Sequence, residues 1–191
     1  MRSELVPWYT LGLILDIGCG EGELCSRVAF GDYIGIDVSR EAITKARLLH
    51  PRWNFFRHSA EYIPFTDGEF DSVIAGVSLP YMDIPLVLAE VKRVLRPGGT
   101  FWCSLHPLSH TLEHLFRSIR HFVWKDMIFR SYVLLNGLYF HFTGKLFRFP
   151  GGRIESFQTK RGMRIAMERA GLTSPESEYQ FYSSGIKSEK L

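Results

Sequence analysis

A chain of 191 residues, of which 46% are hydrophobic and 23% are charged, is long enough to fold around a hydrophobic core. This composition excludes a disordered chain and a fibrous repeat, and no apolar run reaches the roughly 18 residues that would span a bilayer. The N-terminus lacks a secretory signal, and Cys19, Cys25 and Cys103 have no metal-binding spacing, so we expect a cytoplasmic protein with reduced thiols.

Charge is distributed unevenly along the chain. Residues 1–105 contain 10 Lys and Arg against 13 Asp and Glu, a net charge of −3. Residues 106–170 contain 11 against 4, a net charge of +7. The asymmetry indicates that the two parts have different roles.

Short apolar runs alternate with amphipathic segments over the first 105 residues. The apolar runs predict strands at residues 13–17, 33–37, 53–57, 70–75 and 100–105. The segments between them predict helices at 23–30, from the N-cap Ser39 to residue 49, and at 83–95. Strands that alternate with helices predict a parallel sheet with helices on both faces.

The alternation breaks down at residues 106–150, which are rich in aromatic and basic side chains. There we predict a helix over 112–135 and a hairpin over 138–149, then a helix from the N-cap Thr159 to Gly171 and strands at 173–178 and 180–187. The fold class is therefore α/β: a doubly wound, mostly parallel sheet of about seven strands with a C-terminal antiparallel strand. We expect one domain over residues 1–191, with a core at 13–105, an inserted aromatic-basic lid at 106–156 and a C-terminal part at 157–191.

A glycine-rich turn follows the first predicted strand. Gly18, Gly20 and Gly22 form a G-x-G-x-G pattern, in which glycine allows a sharp bend and a close approach of the ligand to the backbone. Asp37 ends the second strand, where a carboxylate can accept hydrogen bonds from ribose hydroxyls. Because ligands of open parallel sheets bind at the carboxyl edge, the turn and Asp37 predict a nucleoside-binding site.

Acidic side chains around this turn indicate the charge of its ligand. A dinucleotide-binding turn has a third glycine in the pattern G-x-G-x-x-G, but Glu23 stands at that position. Asp16, Glu21 and Glu23 would repel a pyrophosphate, whereas they would attract a sulfonium that also carries an ammonium group. The residues therefore favour S-adenosylmethionine over NAD, and an NAD-dependent oxidoreductase is the disfavoured alternative.

Four motifs occur in order along the chain: Leu-Asp-Ile-Gly-Cys-Gly-Glu-Gly at 15–22, Ile-Gly-Ile-Asp-Val-Ser at 34–39, Ile-Pro-Phe-Thr-Asp-Gly-Glu-Phe-Asp-Ser-Val at 63–73 and Val-Leu-Arg-Pro-Gly-Gly at 94–99. With them the sequence resembles the class I S-adenosylmethionine-dependent methyltransferases, in particular the group that includes the ubiquinone and menaquinone biosynthesis methyltransferases. The resemblance covers residues 13–105 and resumes at 157–187. It implies a Rossmann-like core, with S-adenosylmethionine as cofactor and S-adenosylhomocysteine as its product.

The resemblance also implies which residues bind the cofactor. The glycine turn would surround the methionine moiety, Asp37 would bind the ribose, residues 59–61 would line the adenine edge and residues 76–77 would face the methionine end. The full set is Asp16, Gly18, Cys19, Gly20, Asp37, Val38, Ser59, Ala60, Glu61, Gly76 and Val77.

The sequence departs from the family pattern at three places. Ser59 stands where the family commonly has an Asp that contacts the adenine amino group, and Pro80-Tyr81 stand where it often has His-His. The chain also begins shortly before the first strand, whereas relatives usually carry N-terminal helices that cover the cofactor. Either the sequence is truncated or another element, such as the aromatic insert, closes the site.

Two residues are candidates for catalysis. His106 follows the fifth strand, at the edge where substrates bind, and is the first candidate for a general base, with a structural cap as the alternative role. Tyr81 is the second candidate. A zinc site is not expected, because no Cys or acidic residue completes a ligand set with the three histidines that share a helix face, His110, His114 and His121.

We therefore expect methyl transfer from S-adenosylmethionine to a small-molecule acceptor, with no nucleic acid bound. The insert is expected either to form a lid for an apolar, anionic or lipid-like acceptor and to contact a membrane surface, or merely to thicken the core. The arginines that would meet negative charge are Arg117, Arg120 and Arg130. Two alternatives stay open: a non-catalytic protein that binds S-adenosylmethionine or a partner, and a nucleic-acid methyltransferase. Against the latter, residues 79–82 lack the Asn/Asp-Pro-Pro-aromatic signature of amino-group methylation.

Overall fold

A computed structural model describes residues 12–27, 31–172, 178–182 and 185–189, with side chains for 12–26 and 31–172. These residues divide into two compact units. The sheet unit comprises the described residues up to Ser78 together with Ala89–Cys103. The helical unit comprises Leu79–Leu88 and the described residues from Ser104 onward. The single domain over residues 1–191 stays a prediction.

The sheet unit is built on five parallel strands. They are β1 (Leu13–Ile17), β2 (Asp32–Asp37), β3 (Asn54–Arg57), β4 (Phe70–Ala75) and β5 (Leu95–Cys103), in the spatial order β3-β2-β1-β4-β5. β1 pairs in parallel with both β2 and β4, so the strand order reverses beside it. In doubly wound sheets this reversal opens a ligand-binding crevice at the carboxyl ends of the strands. The predicted parallel α/β sheet is confirmed.

Buried apolar residues explain the order of the sheet. β1 and β4 consist almost entirely of buried residues, as expected for central strands. α1 (Arg40–Leu49) begins at the predicted N-cap Ser39, whose hydroxyl accepts a hydrogen bond from a first-turn amide, and it buries Ile43 and Ala46. α2 (Ile84–Val94) ends where β5 begins.

From Ser104 onward, the described residues of the helical unit form three α-helices and a separate pair of strands. The helices are α3 (Leu108–Arg120), α4 (Trp124–Thr143) and α5 (Lys160–Arg169), and the strands are β6 (Glu178–Tyr182) and β7 (Gly185–Glu189). As predicted, α5 begins at Thr159, whose hydroxyl accepts a hydrogen bond from the Gly162 amide. None of the described helices combines the length and the apolar character needed to cross a bilayer.

A buried amide holds the segment that follows α4. Asn136 is fully buried, and its Nδ2 group donates to the Tyr132 hydroxyl and to the Glu155 carbonyl, both at 3.0 Å. Its Oδ1 atom accepts a hydrogen bond from the Phe147 amide at 3.0 Å. Because a buried amide without partners is costly, these bonds keep residues 147–155 against α4 in one arrangement.

Two predictions about strands are wrong. The described residues add no strand to the five parallel ones, because β6 and β7 pair with each other, antiparallel, in a separate sheet. Strands that are neighbours in the chain pair at a low entropic cost, which favours this local arrangement. The hairpin predicted over 138–149 is also absent, because α4 continues to Thr143 and Gly144 ends it with a left-handed φ of 63°. Residues 173–177 and 183–184 of the predicted last strand pair lie outside the described residues.

The helix predicted over 112–135 is divided into α3 and α4. Between them Phe122 adopts a left-handed φ of 52°. The Val123 amide donates to the Ser118 carbonyl at 3.0 Å, and the Phe122 amide donates to the Ile119 carbonyl at 3.1 Å. This pair of bonds is the Schellman motif, which ends a helix and usually has glycine at the left-handed position. The helical periodicity continued through the break, so the sequence pattern did not reveal it.

Phe122 therefore has a conformational cost that glycine would remove. Its side chain is 89% exposed and contributes little burial, while a left-handed L-residue costs roughly 1–2 kcal/mol. We expect Phe122→Gly to raise the free energy of unfolding by about 1 kcal/mol. Phe116→Gly, at an exposed position inside α3, should lower it by about 1 kcal/mol. Urea denaturation of both variants measures the two changes, and a less stable Phe122→Gly would contradict the strain.

Candidate functional site

The glycine-rich turn leaves β1 and folds against the end of β2. The amides of Gly18 and Cys19 both donate to the Ile36 carbonyl, at 2.8 and 3.0 Å. Gly18, Gly20 and Gly22 have left-handed φ values of 69°, 56° and 89°. A Cβ added at Gly20 would meet no atom within 4 Å, so the backbone there borders open space. A ligand can therefore approach this backbone closely.

The turn also displaces the helix predicted over 23–30. Residues 21–24 remain in turns, and Cys25–Arg27 form a single 3₁₀ turn. The Cys25 amide donates to the Gly22 carbonyl at 3.2 Å, a bond that spans three residues instead of four. The left-handed Gly22 interrupts the right-handed path that an α-helix starting here would need. Residues 28–30 lie outside the described residues.

Asp37 connects the turn to the end of β2. Its Oδ2 atom accepts a hydrogen bond from the Gly20 amide at 3.0 Å, and its Oδ1 atom accepts one from the Ser39 amide at 2.8 Å. A carboxylate has about four lone-pair positions, so capacity remains for the hydroxyl groups of a ligand. The structure thus brings together the two features on which the predicted nucleoside site was based.

Asp16 is a buried acid near the end of β1. Its Oδ2 atom accepts a 2.5 Å hydrogen bond from the Tyr33 hydroxyl, while its Oδ1 atom has no hydrogen-bond partner among the described residues. Burial raises the pKa of Asp16 to about 7; the Tyr33 hydrogen bond opposes this shift, and the negative charges of Asp37 and Glu23 reinforce it. A positive charge brought nearby would stabilise the ionised carboxylate.

The segment after β3 lies beside Asp37. Its first amide donates to the Asp37 carbonyl at 3.0 Å, which places residues 59–61 next to the end of β2. The Ser59 hydroxyl donates to the Glu61 carboxylate, so an acid is present here although serine stands at position 59. Ala60 is buried, whereas Val38 is 64% exposed and offers an apolar surface next to Asp37.

The segment after β4 is bound to the end of β1. The Ser78 hydroxyl donates to the Ile17 carbonyl at 2.8 Å. Gly76 follows β4 directly, and a Cβ added there would come within 3.3 Å of Leu24. Val77 is exposed. The predicted cofactor-binding residues therefore all lie in the sheet unit, where the strands end, and their individual roles stay predictions.

These observations fit S-adenosylmethionine. The open space at Gly20 admits a ligand against the backbone, and the Asp37 carboxylate suits hydroxyl groups. The unpartnered oxygen of Asp16 suits a ligand with positive charge. A pyrophosphate would instead be repelled by Asp16, Asp37 and Glu23.

The two candidate catalytic residues lie in the helical unit. The rings of Tyr81 and His106 are nearly perpendicular, with centroids 6.1 Å apart, and both line a cavity of about 320 Å³. Gln158 fixes the backbone of His106 through two hydrogen bonds of 2.9 Å. Its side-chain oxygen accepts from the His106 main-chain amide, and its main-chain amide donates to the His106 carbonyl. The His106 ring stacks on His110, with centroids 5.4 Å apart.

Protonation states distinguish these two residues. Burial lowers the pKa of His106, and the neighbouring His110 and His114 lower it further, against the opposite effect of Glu155. A neutral imidazole is therefore available to accept a proton at neutral pH. Burial raises the pKa of Tyr81, so its hydroxyl keeps its proton. Among the described residues, no cluster of three or more His, Cys, Asp and Glu is arranged to hold a metal ion.

Several polar residues in these two places were missed by sequence reasoning. Tyr33 and Ser78 shape the glycine turn through their hydroxyl groups. Arg153 and Glu155 line the cavity beside His106, together with Arg130, which the sequence had indicated as a residue for negative charge. A tyrosine in a buried strand could have indicated Tyr33, but no local pattern marks Ser78, Arg153 or Glu155.

Known proteins resemble the first half of the chain. A family model described as a methyltransferase domain matches residues 15–103. A methyltransferase of Synechocystis is 34% identical over 93 residues, which are 46% of this chain and 44% of the relative. A phthiotriol/phenolphthiotriol dimycocerosates methyltransferase of Mycobacterium tuberculosis is 36% identical over 102 residues, 49% of this chain and 38% of the relative. The chain thus spans less than half the length of these curated relatives.

A solved structure extends the similarity of fold. A SAM-dependent methyltransferase of Methanosarcina mazei matches with a TM-score of 0.59 and 22% identity, over 88% of this chain and 81% of that chain. At this identity the match shows the α/β Rossmann-like fold alone. The family match and the fit of the glycine turn agree on S-adenosylmethionine as the cofactor.

The open space at Gly20 allows a direct test of cofactor binding. Gly20→Ala places a Cβ where the ligand would approach, so we expect the affinity for S-adenosylmethionine to fall at least about tenfold, or about 1.4 kcal/mol. Gly98→Ala is the matched control, because Gly98 also has a left-handed φ, of 77°, with open space around its Cβ, but lies outside the turn. Isothermal titration calorimetry compares the two. Equal affinities would mean that the turn is only structural.

The raised pKa of Asp16 allows a test without any ligand. The folded carboxyl, with a pKa of about 7, binds its proton more tightly than the unfolded one, whose ordinary value is 3.8. The free energy of unfolding should therefore decrease as the pH rises between these values and level off above them. Asp16→Asn keeps an acceptor for Tyr33 but cannot titrate. Its free energy of unfolding should therefore decrease less with rising pH than that of the unsubstituted protein. Urea denaturation across this pH range measures both proteins, and parallel profiles would rule out the raised pKa.

Proposed function

Because residues 15–103 match a family model of a methyltransferase domain, we propose that the chain is a class I S-adenosylmethionine-dependent methyltransferase that transfers a methyl group to a small-molecule acceptor. The observation that carries the proposal is the acid-lined glycine turn. Gly20 borders open space and donates to Asp37, while Asp16 keeps an unpartnered carboxylate oxygen. This combination suits a ligand that has both hydroxyl groups and a positive charge.

In this proposal the turn and the neighbouring strand ends hold the cofactor. Asp37 accepts hydrogen bonds from the ribose, and Val38 packs against the adenine. Burial raises the pKa of the Cys19 thiol well above its usual range, so Cys19 acts as a small side chain in the turn and not as a nucleophile. The remaining contacts are proposed for Asp16, Gly18, Gly20, Ser59, Ala60, Glu61, Gly76 and Val77.

Glu61 compensates for the serine at position 59. The family commonly has an acid there, and in this chain the Ser59 hydroxyl is bonded to the Glu61 carboxylate. We therefore assign Glu61 the role of accepting a hydrogen bond from the adenine amino group. Its support is the position of residues 59–61 beside Asp37, and the departure at position 59 no longer counts against cofactor binding.

The helical unit is proposed to bind the acceptor. Bound S-adenosylmethionine would supply a methyl group already activated by its positively charged sulfur, which leaves positioning and proton removal to the protein. His106 is the proposed base, because its lowered pKa keeps the imidazole neutral beside the cavity. Tyr81 keeps its proton, so we propose that its hydroxyl donates a hydrogen bond that orients the acceptor.

The helical unit has a second cavity, on the face of α4 opposite Arg130 and Val133. It has a volume of about 500 Å³ and lies along α4 and the segment after it. Its apolar walls include Met127, Ile128, Leu135, Phe147 and Phe149. Such walls suit an alkyl or aromatic group. Because the relatives include phthiotriol/phenolphthiotriol dimycocerosates methyltransferases, we propose a lipid-like acceptor.

The alternatives make different demands on the same residues. A non-catalytic protein that binds S-adenosylmethionine would need the glycine turn but not the neutral His106. A nucleic-acid methyltransferase would use the positive charge of residues 106–170. His106 and the cavity beside it therefore favour a catalytic chain with a small acceptor.

Methyl-labelled S-adenosylmethionine tests the function and its alternatives together. We expect label to pass to a component of a cellular small-molecule or lipid extract, and not to transfer RNA or duplex DNA. His106→Asn should lower the rate of transfer by roughly 10²–10⁴-fold with the cofactor affinity unchanged, as for loss of a general base. His121→Asn, at the exposed end of α3, is the control. Binding without transfer would favour the non-catalytic protein, and label on nucleic acid would favour the nucleic-acid enzyme.

Peripheral contact with a membrane surface is proposed from the α3–α4 corner. Phe122 is exposed in a strained conformation, and such strain is retained where it has a function. The corner patch around it combines exposed apolar and basic residues: Phe116, Arg117, Ile119, Arg120, Val123, Trp124 and Lys125. Aromatic side chains beside Lys and Arg are typical of binding to the interface of anionic membranes.

Vesicle binding tests the corner patch. We expect tighter binding to phosphatidylcholine vesicles that contain phosphatidylserine than to phosphatidylcholine alone, and weaker binding in high salt. Phe122→Gly should reduce binding about tenfold while the fold becomes more stable, so that unfolding cannot explain the loss. Leu48→Ala, at an exposed apolar position on α1, is the control in cosedimentation. Unchanged binding of Phe122→Gly would remove the patch from the proposal.

A further inference from the structure

The cavity beside His106 and Tyr81 has an excess of positive charge. Arg130 and Arg153 line it, and Glu155 is the only carboxylate among the described residues of its walls. Arg130 Nη1 lies 2.5 Å from Glu155 Oε1, and Arg153 Nη2 lies 3.5 Å from Glu155 Oε2. Two guanidinium groups therefore share one carboxylate, and one positive charge is not balanced by the walls.

The two arginines are held in different ways. The side chains of Arg130 and Glu155 are 21% and 10% exposed, so this close pair belongs to the wall itself. Arg153 is 62% exposed, and its guanidinium carbon lies 3.7 Å from the centroid of the Phe129 ring. Stacking on an aromatic ring orients a guanidinium and leaves its N–H groups available at the edge. Arg153 is thus an oriented donor. Its ion pair with Glu155 is long, so a ligand oxyanion that comes closer can replace Glu155 as its partner.

The other walls are compatible with an anionic group on a small body. Tyr81 and Thr111 have hydroxyl groups in the cavity walls, and His106 and His110 have ring nitrogens. Val133 contributes apolar surface. A volume of about 320 Å³ lies at the lower end of the range for small-molecule sites, so one anionic group and a short attached body can be enclosed.

We propose that this cavity binds an oxyanion of the acceptor, a carboxylate or a phosphate monoester, through Arg153 and Arg130. Both oxyanions match the planar donor pair of a guanidinium. Glu155 is a positioning residue: it holds the arginines in place and competes with the ligand for them. The inference rests on the proposed function, in which the helical unit binds the acceptor, and it adds the class of that acceptor, an anion attached to an apolar body.

Three small probes test the cavity without the cofactor. Phenyl phosphate, benzoate and benzyl alcohol share a ring and differ in charge and in the anionic group. We expect the chain to bind at least one of the two anions at least about tenfold more tightly than benzyl alcohol in isothermal titration calorimetry. The preferred anion distinguishes a phosphate monoester from a carboxylate. Anions that bind no better than benzyl alcohol would overturn the proposal.

Two substitutions should have opposite effects on the preferred anion. Arg153→Gln removes the exposed guanidinium and should weaken binding about tenfold. Glu155→Gln removes the competing charge and should strengthen binding about tenfold, because both guanidinium groups then serve the ligand. Arg164→Gln, an exposed arginine of α5 that is paired with Glu168, is the control and should leave binding unchanged.

The signs separate an anion site from a structural ion cluster. If the arginines only neutralise Glu155, both Arg153→Gln and Glu155→Gln will weaken binding or leave it unchanged, and the proposal fails. If Arg153→Gln does not fold, tighter binding by Glu155→Gln still supports the site, and unchanged binding still overturns it. The unsubstituted chain is also titrated with S-adenosylmethionine. If it binds the anion but not S-adenosylmethionine, the proposed function fails; if it binds S-adenosylmethionine but not the anion, only this inference fails.

Discussion

The hydrogen bond from the Gly20 amide to the Asp37 carboxylate is the interaction on which the site depends. It joins the turn after β1 to the end of β2, and the second oxygen of Asp37 accepts from the Ser39 amide at the start of α1. One side chain therefore sets the position of the turn, the strand end and the helix start. Because the left-handed Gly20 exposes backbone without a side chain, the same bond also places open space beside a carboxylate.

Charge and burial together are the basis of the ligand selectivity that we propose for this site. Asp16 and Asp37 lie at the ends of neighbouring strands, and burial favours the protonated form of Asp16. A cationic ligand would reverse that preference, because its attraction to the ionised carboxylate is only weakly screened where water is excluded. An anionic ligand would add to the repulsion. In the proposed function the site therefore discriminates between nucleoside ligands by the sign of their charge more than by their shape.

The helical unit achieves order through polar groups inside an aromatic environment. The buried side-chain amide of Asn136 is hydrogen-bonded to Tyr132 of α4 and to Phe147 and Glu155 of the following segment. These bonds hold Glu155 in the wall of the cavity. Glu155 in turn fixes Arg130. Such networks are costly when incomplete, which restricts the segment to one arrangement. The α3–α4 corner has no such buried network at Phe122, which is exposed and has a strained backbone conformation.

The sequence by itself determined the elements whose causes are local. Apolar runs specify the strands of the sheet unit, hydroxyl caps specify the starts of α1 and α5, and glycines specify the turn with its acids. Only the tertiary structure decided that the parallel sheet has five strands, that α4 replaces the predicted hairpin, and that Arg130, Arg153 and Glu155 meet at one cavity. The physical reason is the range of the interactions along the chain. Backbone preferences and caps act over a few residues, whereas strand pairing and the burial of charge depend on groups that are distant in the sequence and become buried together.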